Sequence, residues 1–374
     1  MASEIHSIVM PKWGLAMEEG IVTAWQIDAG ATIAKGQEIA DIETSKIANV
    51  FESPVSGKVR RLVAQPGETL PVGALLAVVA DDAIGDADID AYVAKFNEAL
   101  KEMLAARASE KKPEPESVEI AGGRKIRYLK LGVGEGPPVV FIHGFGGDLN
   151  NWLFNQEALA ETHTTYAIDL PGHGGSSKDV GAGGVGAMTS ALVAWMTAMK
   201  IDSAHLVGHS MGGAVALLLA STQTAKVASA TLICPAGLGP EISMEYINGF
   251  IEMSRGKKLE PILQMLVANP ALVTRDMIED VLKFKRIDGV DAALKKMRDT
   301  MFPGGEQAAI LRDAFDNVKA PLQVIVGAQD RVLPAAHAKS LPGNVKVQVF
   351  DNAGHMPHME AASDVNRLIA EIAR

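Results

Sequence analysis

The rhythm of apolar and polar positions changes twice along the chain. From residue 3 to 80, short β-branched runs alternate with glycine and proline: Ile5-Met10, Gly20-Ile27, Ala40-Glu43, Ala48-Phe51, Gly57-Val63 and Leu75-Val79. Short strands at close, regular spacing predict a small all-β sandwich or barrel. After an acidic, turn-like stretch from Asp81 to Asp88, the apolar positions Ile89, Val93, Phe96, Leu100 and Leu104 fall at helical spacing. They predict an amphipathic helix of about nineteen residues, packed on a neighbouring domain or offered to a partner subunit. The segment from Ser109 to Ser117 is charged, carries two prolines and holds no apolar residue, which predicts a flexible spacer.

From Val118 onward the pattern is apolar strand, loop and helix, repeated. Val139-Ile142, Thr165-Ile168, Ala204-Val207, Thr231-Cys234, Gln323-Val326 and Val345-Val349 are strand candidates, with helical segments such as Met188-Met199 and Gly213-Ser221 between them. Such alternation predicts a mostly parallel sheet covered on both faces. Between the fourth and fifth of these strands, residues 238–307 hold amphipathic runs (Met244-Met253, Leu259-Leu266, Met277-Phe284, Val290-Met301) that predict a helical cap. The domains expected are residues 1–80, a helix and linker over 81–117, and 118–374. Gly181-Gly186 has neither a preceding strand nor a lysine, so it is expected to be a mobile surface loop rather than a phosphate loop.

The first eighty residues contain a repeat. Gly20-Ile-Val22, Gly30-Ala-Thr32-Ile33, Gly36, Ile39 and Ile42 recur thirty-seven positions later as Gly57-Lys-Val59, Gly67-Glu-Thr69-Leu70, Gly73, Leu76 and Val79. Two such halves can pair about a pseudo-two-fold axis, leaving Lys46 on the hairpin between them. A lone lysine between apolar runs is ordinarily a solvated turn residue. The symmetry of its flanks singles this one out.

Composition narrows the function. With 48% hydrophobic and 21% charged residues the chain is globular. A net charge of −10 argues against a nucleic-acid partner, which requires a basic face. The single Cys234 precludes an intramolecular disulfide and, within an apolar run, is expected to be an inert core thiol. The start Met-Ala-Ser-Glu-Ile-His is not that of a signal peptide, and no apolar run approaches the roughly twenty residues of a membrane helix. A cytoplasmic protein without a membrane partner is expected.

Three strand ends carry chemistry. Gly208-His-Ser210-Met-Gly212 follows a strand and precedes a helix of small residues, the context in which G-x-S-x-G forms a nucleophile elbow. Asp330 follows the strand Gln323-Val326, and His355 follows Val345-Phe350. The order Ser, Asp, His suits a triad in which His355 takes the proton of Ser210 while Asp330 fixes the imidazole tautomer. His143-Gly-Phe-Gly-Gly147 places the backbone N–H of Phe145 beside that of Met211 as donors for an oxyanion. His209 and His173 are expected to fix loops, and His337 and His358 to lie on the surface. No histidine–carboxylate spacing suggests a metal site.

Residues 1–80 resemble the lipoyl domains of 2-oxo acid dehydrogenase complexes and, more distantly, biotinyl carriers. That resemblance implies a lipoyl group attached as an amide to Lys46. The usual pattern has Asp before the lysine and Ala or Val after it; Ser45 and Ile47 stand there in this chain. From Val118 the chain resembles the α/β-hydrolases, including Asp169-Leu-Pro-Gly-His-Gly-Gly-Ser176 and Gly327-Ala-Gln-Asp330-Arg-Val-Leu-Pro334. The fold expected is therefore multidomain: an all-β lipoyl/biotinyl-type sandwich followed by an α/β-hydrolase with a helical cap.

The combination resembles the dihydrolipoamide acetyltransferase components of bacterial acetoin dehydrogenase complexes along the whole chain. That family implies acetyl transfer from S-acetyl-dihydrolipoyl-lysine to coenzyme A in acetoin breakdown. It also implies two partners, a thiamine diphosphate-dependent acetoin-cleaving component and a lipoamide dehydrogenase. The usual acyltransferase core motif His-x-x-x-Asp-Gly is absent from this chain, which leaves the work to the triad. The transfer could pass through an acyl-Ser210 or by direct attack of coenzyme A. The alternative is a thioesterase or hydrolase, docked through its lipoyl domain, that releases free acid.

Overall fold

The computed structural model describes residues 5–11, 17–43, 48–109, 113–339, 341–343 and 345–374. The chain divides into two compact units, Met1–Lys112 and Pro113–Arg374.

The first unit holds β1 (His6–Val9), β2 (Glu19–Trp25), β3 (Thr32–Ile33), β4 (Glu38–Glu43), β5 (Ala48–Glu52), β6 (Gly57–Leu62), β7 (Glu68–Pro71) and β8 (Leu75–Val79). They form two four-stranded sheets, ordered β1-β8-β6-β3 and β5-β4-β2-β7, enclosing Ile8, Val22, Ile39, Ile42, Val59 and Leu76. The sequence repeat appears in the hydrogen bonds. Gly30 N donates to Val59 O at 2.7 Å, and thirty-seven residues on Gly67 N donates to Val22 O at 2.7 Å. Gly36 N donates to Ser53 O at 2.8 Å, and its counterpart Gly73 N to Met10 O at 2.9 Å. All four glycines lie at φ between 83° and 96°, where an L side chain is strained. Strands β4 and β5 pair antiparallel with Glu43 opposite Ala48. The residues joining them, 44–47, include Lys46, Ser45 and Ile47 and lie outside the described residues.

Helix α1 (Asp86–Ser109) belongs to this unit. Its apolar stripe, Ile89, Tyr92, Val93 and Phe96, packs on Leu75 and Val78 of β8. Arg60 anchors the acidic stretch before it, donating to Asp81 O at 2.7 Å and Ile84 O at 2.9 Å and pairing with Asp86 at 2.8 Å. Packing on one of the two domains, expected for this helix, is observed on the first. Glu116 and Ser117, assigned to the spacer by their polarity, instead open a strand, because a sheet-edge strand facing solvent needs few apolar residues.

In the second unit the first elements are β9 (Glu116–Ile120), β10 (Arg124–Leu131), β11 (Val139–Ile142), α2 (Leu153–Ala160), β12 (Thr165–Ile168), α3 (Val185–Ala198), β13 (Ala204–His209), α4 (Met211–Thr222) and β14 (Val227–Ile233). The cap follows as α5 (Met244–Glu252), α6 (Gly256–Gln264), α7 (Arg275–Lys285) and α8 (Val290–Met301). The fold closes with β15 (Leu322–Gly327), β16 (Lys346–Phe350), α9 (Pro357–Glu360) and α10 (Ala362–Ile372). The eight strands form one sheet, β16-β15-β14-β13-β11-β12-β10-β9, parallel from β16 to β12 and closed by the antiparallel β10 and β9.

The central strands are buried on both faces, so alternate residues enter different cores. Phe141, Val207 and Ile325 pack with Trp152 and Ile369 on one side. Val140, Ile142 and Leu206 pack with Leu192, Trp195 and Val215 on the other. That second core continues into the cap through Phe250, Leu259, Leu263, Leu294, Met297 and Met301. The glycine-rich segment 181–186, expected to be a mobile surface loop, leaves Ala182 and Gly186 exposed but is held at its centre. Gly183 is buried where its added Cβ would meet Thr300 at 3.2 Å, and Thr300 Oγ1 donates to Ala182 O at 3.2 Å, so α8 braces it. No described helix is long and apolar enough to cross a membrane.

Candidate active site

The site lies at the carboxyl ends of β11, β13, β15 and β16, where the loops of a parallel sheet collect. Ser210 sits between β13 and α4 at φ 53°, ψ −115°, outside the usual regions for a residue with a side chain. Its N–H donates to Ile233 O at 2.9 Å and its C=O accepts from Ala236 N at 3.0 Å, so the neighbouring strand end holds the turn. The glycines beside it answer to close approach. A Cβ at Gly208 would stand 2.3 Å from Gly212 O, and one at Gly212 would stand 2.1 Å from Ile142 O.

Asp330 and His355 form a buried pair. His355 Nδ1 donates to Asp330 Oδ2 at 2.7 Å, and both side chains are 2% exposed. Asp330 Oδ1 accepts from Val332 N at 2.8 Å and Leu333 N at 2.9 Å. Burial alone would push the Asp330 carboxyl up, but the His355 ring and these N–H groups hold it below the usual carboxylate range. The two loops meet through glycine, since a Cβ at Gly327 would lie 1.9 Å from Gly354 O.

The His143–Gly147 loop faces Ser210 from β11: a Cβ at Gly144 would be 3.0 Å from that of Ser210. His143 Nδ1 donates to Gly144 O at 2.7 Å and Nε2 accepts from Leu170 N at 3.0 Å. His173 Nε2 accepts from Gly146 N at 3.1 Å, while Nδ1 donates to Pro171 O at 3.1 Å. The Asp169 carboxylate holds both loops, accepting from Leu149 N at 2.8 Å and Gly175 N at 2.7 Å. Against this bonded frame, the N–H groups of Phe145 and Met211 donate to no group among the described residues, although both residues are buried. Met211 opens α4, where a first-turn N–H has no intrahelical acceptor.

Sequence reasoning missed several neighbours. His358 is fully buried rather than on the surface, its ring 4.7 Å from that of Trp152 and 4.6 Å from that of His209. Burial holds it neutral, with its pKa down to about 3. His337 is also largely covered, with Nε2 at 2.7 Å from Glu241 Oε2. A single histidine inside apolar spacing gives no sign of which way its ring points. His209 Nε2 donates to His355 O at 2.8 Å, tying the histidine loop to the serine turn. Cys234 is buried, but its sulfur lies with ligand-type atoms of Asp330 and His355 inside one 4.8 Å group, brought there by the fold from a strand end. Burial raises its thiol pKa well above the usual value, which keeps it protonated. Of these three residues, His355 and Asp330 already bond each other at 2.7 Å.

The cap covers the site. Phe250 of α5 presses on the His143–Gly147 loop, since a Cβ at Gly146 would be 2.4 Å from its ring, and Phe145 meets both Phe250 and Phe302 edge-on. Ser210 is 8% exposed and His355 1%. A cleft of about 420 Å³ opens elsewhere on the cap, among Ile251, Leu282, Lys285, Arg286 and Leu294, without reaching either residue. Ser210 and His355 thus lie beneath the cap, both buried.

The comparisons with known proteins follow the same division. Residues 139–368 match the model of the alpha/beta hydrolase family, and residues 6–79 match that of the biotin-requiring enzymes. Among curated proteins, the dihydrolipoyllysine-residue acetyltransferase component of the acetoin cleaving system of Pseudomonas putida is 46% identical, over 100% of this chain and 99% of its own. Its counterpart in Cupriavidus necator is 42% identical over 99% and 98%. A solved meta-cleavage product hydrolase from Pseudomonas fluorescens superposes with a TM-score of 0.62 at 22% identity, over 69% of this chain and 96% of that one, and shows the fold. With both halves matched and the identity extending from end to end, the chain belongs to the family of dihydrolipoyllysine-residue acetyltransferase components of acetoin cleaving systems.

Proposed function

We propose that the chain moves an acetyl group from an S-acetyl-dihydrolipoyl thioester, carried on Lys46, to coenzyme A, with Ser210, His355 and Asp330 as its triad. The observation that supports this most is Ser210 in its strained turn beside the N–H groups of two buried residues, Phe145 and Met211, which have no partner among the described residues. Buried donors without acceptors cost free energy unless a ligand oxygen meets them. The carrier assignment rests on the matched biotin/lipoyl domain and on the β4–β5 pairing that brackets residues 44–47. A lipoyl group on Lys46, when attached, supplies the thiol that bears the acyl group.

In this reading Ser210 Oγ attacks the thioester carbonyl carbon as His355 Nε2 takes its proton. The carbonyl oxygen becomes an oxyanion against Phe145 N–H and Met211 N–H. The C–S bond then breaks, and His355 returns the proton to the leaving thiol. Coenzyme A enters next: His355 removes its thiol proton, the sulfur attacks the acyl-serine carbon, and the C–O bond to Ser210 breaks with the proton passed back to Ser210 Oγ. Asp330 holds the Nδ1–H tautomer throughout and stabilises the imidazolium. The closed cap keeps water from competing with coenzyme A. The acetoin-cleaving thiamine diphosphate component and the lipoamide dehydrogenase are the partners this reaction needs, to load the arm and to reoxidise it.

The test is product analysis. With acetyl-dihydrolipoamide as donor, acetyl-CoA is expected when coenzyme A is present, and a 1:1 acetyl adduct on Ser210 by mass spectrometry when it is not. Acetate as the main product in both cases would make the chain a thioesterase instead. Full transfer activity in Ser210→Ala would overturn both the adduct and the triad. Intact mass after expression in a lipoylating host, with the increment mapped to Lys46, tests the carrier.

A further inference from the structure

Glu360 ends α9, yet its carboxylate is turned back toward the histidine loop. Oε1 accepts from Gly354 N at 2.8 Å and from Met356 N at 3.3 Å, the two amides flanking His355. Oε2 accepts from Ala268 N at 2.7 Å, in the segment that follows α6 of the cap. The same segment is held at two further points. His355 N donates to Leu266 O at 2.8 Å. Arg331, next to Asp330, donates to Gln264 O and, at 3.0 Å, to Val267 O. A Cβ at Gly354 would stand 2.8 Å from Ala268 N, so the two backbones are in contact with no side chain between them. Residues 264–268 of the cap are thus bonded to both triad loops and to the backbone of His355 itself.

A helix-terminal glutamate whose only task was to support its own helix would not need an acceptor bond from a separate element. We infer that Glu360 is a positioning residue that couples closure of the cap to the seating of His355, with Arg331 acting from the Asp330 side. This inference rests on the triad proposed above. When the cap lifts to admit substrate, Leu266 O and Ala268 N leave together. His355 N–H then loses its acceptor, and Glu360 loses the bond that ties its loop to the cap. Proton transfer by His355 is thereby matched to the closed, dry state, in which an acyl-serine meets coenzyme A rather than water.

The test uses the full-length chain with acetyl-dihydrolipoamide and coenzyme A, and follows acetyl-CoA and acetate together. Glu360→Gln keeps one acceptor oxygen but sets an amide N–H₂ against either the cap or the histidine loop. Its transfer kcat is expected to fall about tenfold with KM for coenzyme A within about twofold, and the acetate share to rise severalfold. Glu360→Asp, which keeps both oxygens, should recover part of the loss. Arg331→Met, on an exposed side chain, should move the acetate share in the same direction without lowering the thermal midpoint. Wild-type kcat and acetate share in Glu360→Gln and Arg331→Met would overturn the inference, as would losses that track only the thermal midpoint. Those outcomes, with Ser210→Ala inactive, would leave the triad standing and remove the coupling alone; an active Ser210→Ala would remove the triad itself.

Discussion

At Ser210 the backbone does the selecting before the side chain does any chemistry. A residue at φ 53° between β13 and α4 needs neighbours without a Cβ, and Gly212 lies where a methyl group would press into Ile142 O at 2.1 Å. Gly212→Ala should therefore destabilise the second unit by roughly 3 kcal/mol or more, since backbone must shift to admit it. A urea titration read at this unit checks this; a change below about 1 kcal/mol would contradict the geometry. Asp330→Asn keeps the shape but removes the carboxylate that fixes the His355 tautomer. In serine-hydrolase triads such a change lowers kcat by about 10⁴, and a comparable loss of acetyl-CoA formation is expected here with stability little altered. The strand-end positions of Ser210, Asp330 and His355 were legible because each follows a strand whose apolar run is unmistakable. Glu360 and His358 were not: what makes them matter is contact with Ala268 and His209, remote in sequence and adjacent only after folding.

At the scale of elements, α1 shows where sequence reasoning divides. Its apolar stripe predicts a helix with one sticky face but does not name the surface that covers it. The structure lays that face on β8, and Ile89 is fully buried. Ile89→Ala should cost about 2–4 kcal/mol in the first unit. Hydrogen exchange should quicken at the β8 amides and not in the second unit, while transfer from free acetyl-dihydrolipoamide stays unchanged; equal protection in β8 would argue that the helix is held elsewhere. The cap helices were legible because each carries a strongly one-sided apolar face. Strand β9 was not, because an edge strand facing solvent carries charges where a central one carries valine.

For the molecule as a whole, the buried histidines predict a pH dependence. Burial lowers the pKa of His143, His173, His209 and His358 below the usual histidine value, in the last case to about 3. Each is neutral in the folded chain, whereas the unfolded chain takes up a proton near pH 6.5. Below that pH the unfolded state binds more protons, so stability falls as pH drops, by up to about 1.4 kcal/mol per pH unit for each histidine. The urea midpoint should therefore be lower at pH 5 than at pH 7.5. Among the described residues both His358 nitrogens lack a hydrogen-bond partner, and its ring lies between Trp152 and His209. His358→Phe should accordingly flatten this slope, leaving stability at pH 7.5 about the same. An unchanged slope would show that His358 is protonated with its fold intact.

The sequence by itself determined the two-part architecture, the repeat that builds the first domain, the strand-end positions of Ser210, Asp330 and His355 and the one-sided helices of the cap. These are local properties: periodicity, glycine at left-handed turns, and chemistry tied to the end of a buried strand. Only the tertiary structure decided which surface α1 covers, that Cys234 lies beside Asp330 and His355, and that Glu360 and Arg331 join the cap to the loops of His355 and Asp330. Those contacts bring together residues remote in sequence. Their energies depend on distances that no single stretch of chain specifies, because each is set by how the sheet, cap and loops pack at once.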